Sequence, residues 1–248
     1  MNKKGISQET LKLIACVTMF IDHAGAILVY SWYLSDYFTG GMHAMQLWTL
    51  YIVMRIVGRI AFPIYCLLLV EGAHYTRNPG KYALRLAIGV LLSEIPFDLA
   101  LYGHFSWETN NVMVTLLLGF GMLMTMKKVT GLWKILLIIP WALAADLLKT
   151  DYAAHGILII AFLALTKDLP HEKLIRALGM VVLLWFGGSI AIGSMMVPLE
   201  IFGLFSLIPI FCYSGKKQSH NKALQWAFYL FYPAHLLLLW FLNAQLFG

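Results

Sequence analysis

The stretch LKLIACVTMFIDHAGAILVYSWY, residues 11–33, decides the fold class. It is almost continuously apolar, and about 20 such residues in a helix cross the hydrocarbon core of a bilayer. Similar runs recur along the chain, in which 60% of the 248 residues are hydrophobic and only 12% are charged. This composition is too apolar for a soluble domain. We therefore expect an all-α, polytopic transmembrane bundle that forms a single domain over residues 1–248.

The apolar runs between polar breaks predict about nine spans. The eighth of these segments is short and contains Pro209. It is kept as a span because the basic segments 167–176 and 216–222 must lie on the same side of the membrane. The predicted spans are residues 11–33, 47–73, 82–102, 110–126, 132–148, 151–166, 175–193, 198–213 and 223–245.

The basic residues predict the orientation of these spans, because cytoplasmic loops of membrane proteins collect Lys and Arg. Alternate loops are rich in basic residues, whereas the intervening loops contain Lys149 alone. We therefore expect a multi-pass protein of the cytoplasmic (inner) membrane, with its N-terminus inside and its C-terminus outside. The basic residues are Lys3, Lys4 and Lys12; Arg77, Lys81 and Arg85; Lys127, Lys128 and Lys134; Lys167, Lys173 and Arg176; Lys216, Lys217 and Lys222.

Other features of the sequence narrow the class of protein. The basic start followed by an apolar segment resembles a signal peptide, but the segment is too long and is interpreted as the first span. The cysteines Cys16, Cys66 and Cys212 lie in apolar runs, without a pattern typical of disulfides or metal sites, so we predict no metal. The net charge of +6 is explained by topology, and no nucleic-acid partner is expected.

Ionisable residues inside the predicted spans define a candidate site. At a rise of about 1.5 Å per residue, six spans each place one such residue about 16–21 Å from the cytoplasmic edge. Because charged groups are costly at this depth, they normally face the bundle interior and pair or line a wet cavity. The six residues are His23, Arg59, Glu94, Asp146, His155 and His235, and Asp22, Arg55 and Asp98 lie close to the same layer.

Asp22 and His23 are adjacent, and neighbours on a helix point about 100° apart. We therefore predict that Asp22 pairs with Arg59, while His23 remains free to face the cavity. A structural role for the Asp22–Arg59 pair is as well supported as a functional one. The same holds for His155, whereas the near-neutral titration of imidazole favours a functional role for His23.

Several motifs in fixed order resemble the TraX family of polytopic membrane proteins. They are MFIDHAGA (residues 19–26), GRIAFPIYCLLLVEGAHYTRNPGKYALRL (residues 58–86), SEIPFD (residues 93–98), NVMVTLLLGF (residues 111–120) and YLFYPAHLLLL (residues 229–239). The best-known members acetylate the N-terminal amine of F-type pilin with acetyl-CoA. The resemblance therefore implies a membrane acyltransferase-like domain, with acetyl-CoA as the acyl donor.

Acyl transfer requires a base for the acceptor proton and a group that stabilises the oxyanion. We predict His23 as the base and His235 as the second candidate base, or as the acid for the thiolate. Asp22 and Arg59 are predicted to orient the site, with Arg59 or Tyr232 stabilising the oxyanion. A substrate-binding role is predicted for Glu94, Asp98, Asp146, His155 and Tyr232.

The donor is expected to enter from the cytosol. The turn Asn78-Pro79-Gly80 would present Arg77, Lys81 and Arg85 to its phosphates, with Glu71 at the same cytoplasmic end. The positive-inside rule alone also explains these cations. The acceptor, which could be a protein N-terminus, peptide, lipid or glycan, would enter from the outer face, where Asp98, Asp146 and Asp151 are predicted.

A proton- or ion-coupled transporter is the alternative, since the same layer of ionisable groups could relay charge. The absence of a detectable internal repeat and the resemblance to the TraX family both favour acyl transfer. A structural assembly factor is a weaker third interpretation, because it leaves the ionisable layer without a purpose.

Overall fold

The computed structural model describes residues 5–192, 195–215 and 222–247, and helices dominate these ranges. A π-helical turn, Gly25–Val29, joins the first two α-helices, and a 3-10 helix, Leu199–Ser206, precedes α11. The α-helices are α1 (Gln8–Ala24), α2 (Tyr30–Thr39), α3 (Ala44–Gly58), α4 (Ala61–Tyr75), α5 (Pro79–Tyr102), α6 (Val112–Met126), α7 (Trp133–Leu136), α8 (Ile138–Leu147), α9 (Ala153–Leu165), α10 (Glu172–Trp185), α11 (Leu207–Cys212) and α12 (Lys222–Phe247).

Three helical segments of the described chain are long and apolar enough to cross a membrane. They are Gln8–Phe38, which runs through α1, the π-helical turn and most of α2; Ala44–Tyr75, which comprises α3 and α4; and Trp226–Phe247 within α12. Helix α5 is also long, but it includes the charged residues Lys81, Arg85, Glu94 and Asp98. The chain is therefore a helical membrane protein, and the count of about nine spans stays a prediction.

Several predicted spans are shorter or more interrupted than the apolar runs suggest. The run at 132–148 divides into α7 and α8, and the run at 198–213 is a 3-10 helix followed by the short helix α11. The segments Val112–Met126, Ala153–Leu165 and Leu199–Cys212 are apolar but contain fewer than the roughly 20 residues of a full crossing.

The prediction of a purely α-helical chain was wrong in one segment. The run at 175–193 ends as a helix at Trp185 and continues into an antiparallel hairpin of β1 (Ser189–Ile192) and β2 (Met195–Pro198). Gly187 and Gly188 follow the helix and disfavour its continuation. Beyond them, β-branched residues such as Ile190 and Val197 favour extended backbone.

Three contacts of basic side chains link the ends of different helices. The Lys127 Nζ donates to the Ala73 carbonyl at 2.6 Å, and the Lys173 Nζ donates to the Phe211 carbonyl at 3.1 Å. Lys167 forms an ion pair with Glu71. These contacts group on one side of the molecule the helix ends that the positive-inside rule assigns to the cytoplasm. Lys3, Lys4, Lys216 and Lys217 lie outside the described residues.

Candidate active site

A buried ionic cluster joins α1, α3 and the 3-10 helix. The Arg59 guanidinium donates to both Asp22 carboxylate oxygens at 2.8 Å and to Glu200 Oε1 at 2.6 Å. Arg55 donates to Asp22 Oδ2 at 2.7 Å. Asp22, Arg59 and Glu200 are each less than 9% exposed, whereas the Arg55 side chain is 21% exposed. Two carboxylates and two guanidiniums therefore neutralise one another in a largely buried cluster. The predicted Asp22–Arg59 pair is confirmed, within a larger network.

The local backbone is adapted to this cluster. A Cβ atom at Gly58 would lie 2.1 Å from Asp22 Oδ1, so only glycine lets α3 approach the Asp22 carboxylate this closely. The α-helical pattern of α1 changes to π-helical at Gly25, two residues after His23. Such π-helical turns occur frequently at functional sites. The close approach at Gly58 and the π-helical turn at Gly25 are thus both found beside Asp22 and His23.

His23 is hydrogen-bonded to His235, a contact that the sequence did not predict. The His23 Nδ1 lies 2.7 Å from His235 Nε2, and the His235 Nδ1 lies 2.7 Å from the Phe231 carbonyl oxygen. Because a carbonyl only accepts, His235 Nδ1 carries the proton, and Nε2 of a neutral His235 is an acceptor. His23 Nδ1 then donates, which leaves the lone pair of His23 Nε2 available.

His23 and three members of the cluster, Asp22, Arg55 and Arg59, line one cavity of about 160 Å³, here called the Arg59 cavity. Arg55 and Arg59 contribute its cations, and Asp22 and Asp151 contribute its carboxylates. The buried Arg55 Nε has no hydrogen-bond partner among the described residues. The residues that line the cavity therefore include an imidazole and a guanidinium whose Nε has no partner among the described residues.

A second cavity of about 280 Å³, here called the Arg85 cavity, lies between α1, α4, α5 and α12. Lys12 and Arg85 line it together with the aromatic residues Tyr82 and Tyr229. Tyr65 lines both cavities, and its hydroxyl lies 3.3 Å from the buried Cys16 Sγ. Tyr65 is therefore shared by the linings of the two cavities.

The residues predicted to bind the donor occupy different environments. Arg85 lines the Arg85 cavity, whereas Arg77 and Lys81 are exposed beside the start of α5. The predicted turn at 78–80 is a helix start: Asn78 caps α5 by accepting from the Lys81 backbone N–H at 3.0 Å, and Pro79 occupies its first turn. Glu71 is paired with Lys167.

The structure does not bring the predicted substrate-binding residues into the lining of the Arg59 cavity. The Asn111 side chain donates to Glu94, the Ser106 backbone N–H donates to Asp98 at 3.1 Å, and the Ala154 backbone N–H donates to Asp146 at 2.8 Å. These carboxylates thus accept hydrogen bonds from helix starts and a loop. Their role in substrate binding stays a prediction.

Two further predicted residues lie near the site but behind the cavity wall. The Tyr232 ring packs against His23 with their ring centroids 6.0 Å apart, and the Tyr232 hydroxyl has no hydrogen-bond partner among the described residues. His155 Nε2 is buried and likewise has none in that part of the chain. Neither residue lines the Arg59 cavity, so their binding roles also stay predictions.

Sequence reasoning missed Glu200 and Tyr152. Glu200 is an acidic residue in an apolar run, so the rule that selected Glu94 would have found it. Tyr152 stacks on Phe62 with ring centroids 3.5 Å apart, and its hydroxyl lies 3.4 Å from Arg59 Nη1. No local pattern marks this tyrosine, because its importance depends on contact with α3 and α4.

Comparison with known proteins identifies the family of this chain. The profile described as TraX protein matches residues 7–243. The chain belongs to the TraX family. Among TraX relatives, a protein from Dichelobacter nodosus named "Probable fimbrial assembly protein FimC, serogroup H1" is 30% identical over 246 residues, covering 92% of each chain. No solved structure matches this TraX protein.

Proposed function

We propose that this TraX protein is a membrane acyltransferase that moves an acetyl group from cytosolic acetyl-CoA to an amine or hydroxyl on a membrane-associated or extracytoplasmic acceptor. The observation that carries the proposal is His23, whose Nδ1 is engaged by His235 while the residue lines the Arg59 cavity. A histidine with one nitrogen fixed by a second group is a common arrangement for a general base.

The donor would bind in the Arg85 cavity. Arg85 and Lys12 supply cations for the phosphates of CoA, and the apolar residues Leu68, Leu69 and Leu86 line the space that the pantetheine arm would follow. Arg77 and Lys81, near the start of α5, would add to the positive potential at the entrance. This assignment retains the predicted cytosolic entry and gives Arg85 the central role.

The thioester would pass Tyr65 to reach His23. Since Tyr65 lines both cavities, rotation of its side chain away from Cys16 would join them. The Tyr65–Cys16 contact is a single neutral hydrogen bond, and such bonds contribute only about 1 kcal/mol to stability.

In the reaction, the acceptor nitrogen or oxygen attacks the thioester carbonyl while His23 Nε2 takes its proton. The carbon–sulfur bond then breaks, the acceptor keeps the acetyl group, and His23 returns the proton to the departing thiolate. His235 accepts from His23 Nδ1, so it would hold the imidazole in the required tautomer. This gives His235 a positioning role instead of the predicted alternative role as base.

The negative charge that forms on the carbonyl oxygen requires a donor. Arg59 uses its nitrogens on Asp22, Glu200, Tyr152 and the Arg55 carbonyl, so it holds the helices together more than it faces a substrate. Arg55 lines the cavity with an unsatisfied Nε and is the better candidate for stabilising the oxyanion.

The acceptor would approach past Tyr51 and Asp151, which also line the Arg59 cavity. The family resemblance and the name of the fimbrial relative support a pilus subunit, and its N-terminal amine is the first acceptor to test. Asp151 would attract such a group while it is an ammonium, before the proton is lost.

The first test is thermal stabilisation of the detergent-purified protein by acetyl-CoA, compared with CoA, ATP and longer acyl-CoA. A ligand at a hundred times its Kd stabilises the folded state by about 2.7 kcal/mol. We expect saturable stabilisation by acetyl-CoA that is weakened in Arg85→Ala, retained in His23→Ala, and unchanged in the matched control Lys128→Ala.

The second measurement is CoA release in the presence of a peptide with a free amino terminus. We expect release with wild-type protein, and a loss of about 100-fold or more in His23→Ala, because a general base contributes about that much. The same peptide with a blocked amine is the control.

The stabilisation test also decides between the two candidate functions. If no CoA species stabilises the protein, acyl transfer is overturned and the transporter becomes the leading alternative.

A further inference from the structure

A third cavity lies apart from the candidate active site and contains a cluster of cations. It has a volume of about 290 Å³ and is here called the Lys134 cavity. Its lining comes from α4, α6, α7 and α9, at the end of the bundle where the basic residues gather. The lining residues are Val70, Ala73, His74, Leu123, Met126, Lys127, Lys134, Ala164, Leu165 and Lys167.

The charges of this cavity are unbalanced. Lys167 is paired with Glu71, whereas Lys127 donates to the uncharged Ala73 carbonyl and has no carboxylate partner among the described residues. The Lys134 side chain makes no ion pair or hydrogen bond with any part of the chain that the structure describes. Two lysine charges therefore remain without a carboxylate, which favours an anionic ligand.

Apolar residues also line the Lys134 cavity. Leu123, Met126 and Leu165 provide a surface that suits hydrocarbon, not a free polar anion. At its rim, α7 exposes Trp133 to 67% and Ile135 to 53%, and apolar and aromatic side chains of this kind lie at the membrane interface. The cavity thus offers cations for a headgroup and an apolar surface for an acyl chain.

We infer that the Lys134 cavity binds an anionic phospholipid, with the phosphate on Lys127 and Lys134 and an acyl chain along Leu123, Met126 and Leu165. Basic pockets between membrane helices on the cytoplasmic side are typical sites for such headgroups. The positive-inside rule alone explains lysines in this loop, but it does not require them to surround an apolar cavity. The inference is independent of the proposed acyl transfer, which uses the Arg85 and Arg59 cavities.

Lys128 provides a matched control. It neighbours Lys127 in sequence and carries the same charge, but it is exposed and does not line the cavity. A variant at Lys128 therefore changes the net charge of the loop without changing the site. Lys134→Gln removes the same charge from within the cavity.

The experiment measures thermal stabilisation of the purified protein by phosphatidylglycerol, with phosphatidylcholine for comparison. We expect stabilisation by phosphatidylglycerol, with the half-saturating concentration raised about fivefold in Lys134→Gln, since one lysine near a lipid surface is worth about that factor. Lys128→Gln should match wild type. Inorganic phosphate and CoA are added separately, to distinguish a lipid headgroup from a soluble phosphate.

Three outcomes would overturn the inference. Equal stabilisation by the two lipids would exclude a charge-selective site. An equal shift in Lys128→Gln and Lys134→Gln would indicate diffuse attraction of the loop. Stabilisation by inorganic phosphate or CoA that depends on Lys134, without a corresponding effect of phosphatidylglycerol, would assign the cavity to a soluble anion.

Discussion

The Arg59 cavity and the Lys134 cavity contain similar numbers of charged groups but differ in how these groups are compensated. Around Arg59, two guanidiniums and two carboxylates form ion pairs of 2.6–2.8 Å; Asp22, Arg59 and Glu200 are buried, and the Arg55 side chain is 21% exposed. Around Lys134, one of three lysines is paired with a carboxylate, and the cavity is bordered by an exposed short helix. A cluster with balanced charges stabilises the packing of the helices, whereas a cluster with unbalanced charges favours binding of a ligand of opposite charge.

The largest expected effect is on the balanced cluster. Arg59→Leu leaves Asp22 with Arg55 alone and Glu200 without its cation. Removing one partner of a buried ion pair costs about 3–5 kcal/mol, so we expect a large fall in the thermal unfolding temperature. Lys128→Leu, at an exposed position, is the control. Equal unfolding temperatures for the two variants would contradict the structural role of the cluster.

The next effect concerns the histidine pair. His235→Leu removes the acceptor for His23 Nδ1, and we expect CoA release to fall about 100-fold, while acetyl-CoA still stabilises the protein. His235→Gln should recover part of the rate, because its amide oxygen can accept from Nδ1. The pH profile of both variants distinguishes positioning from packing: a purely structural role would leave its shape unchanged.

A smaller loss of stability is expected at Gly58, where the backbone of α3 contacts the ionic cluster. In Gly58→Ala the added Cβ would lie 2.1 Å from Asp22 Oδ1, so the carboxylate or α3 must shift. Overpacking of this kind costs about 1–3 kcal/mol, which thermal unfolding would detect. Gly80→Ala is the control, since its Cβ would meet only Asn78 Oδ1, at 3.7 Å. A Gly58→Ala protein as stable as Gly80→Ala would refute the close approach.

The smallest effect is expected in the unbalanced cavity. Without added lipid, Lys134→Gln should change the free energy of unfolding by less than about 0.5 kcal/mol, because the lysine side chain has no partner to lose among the described residues. The result sharpens the contrast with Arg59→Leu, and the comparison is made by thermal unfolding in the same detergent. A loss of several kcal/mol would mean that Lys134 stabilises the bundle directly.

Much of the candidate site could be predicted because a charge in an apolar run is conspicuous. Asp22, His23, Arg59 and His235 were found in this way, and the Asp22–Arg59 pair followed from helix geometry. The links between His23 and His235, and between Arg59 and Glu200, could not be predicted, since these partners are separated by 212 and 141 residues. The position of a residue along its helix predicts its depth in the membrane. It does not predict which other helix lies beside it.

The sequence by itself determined that this is a helical membrane protein of the TraX family, because hydropathy and motif order are local properties of the chain. It also located the charged residues that need a partner when they are buried in the membrane. Only the tertiary structure decided that His23 is fixed by His235, that Glu200 completes the ionic cluster, and that Tyr65 lines two cavities. Those relations depend on how helices pack, and packing is set by side-chain shape across elements distant in sequence.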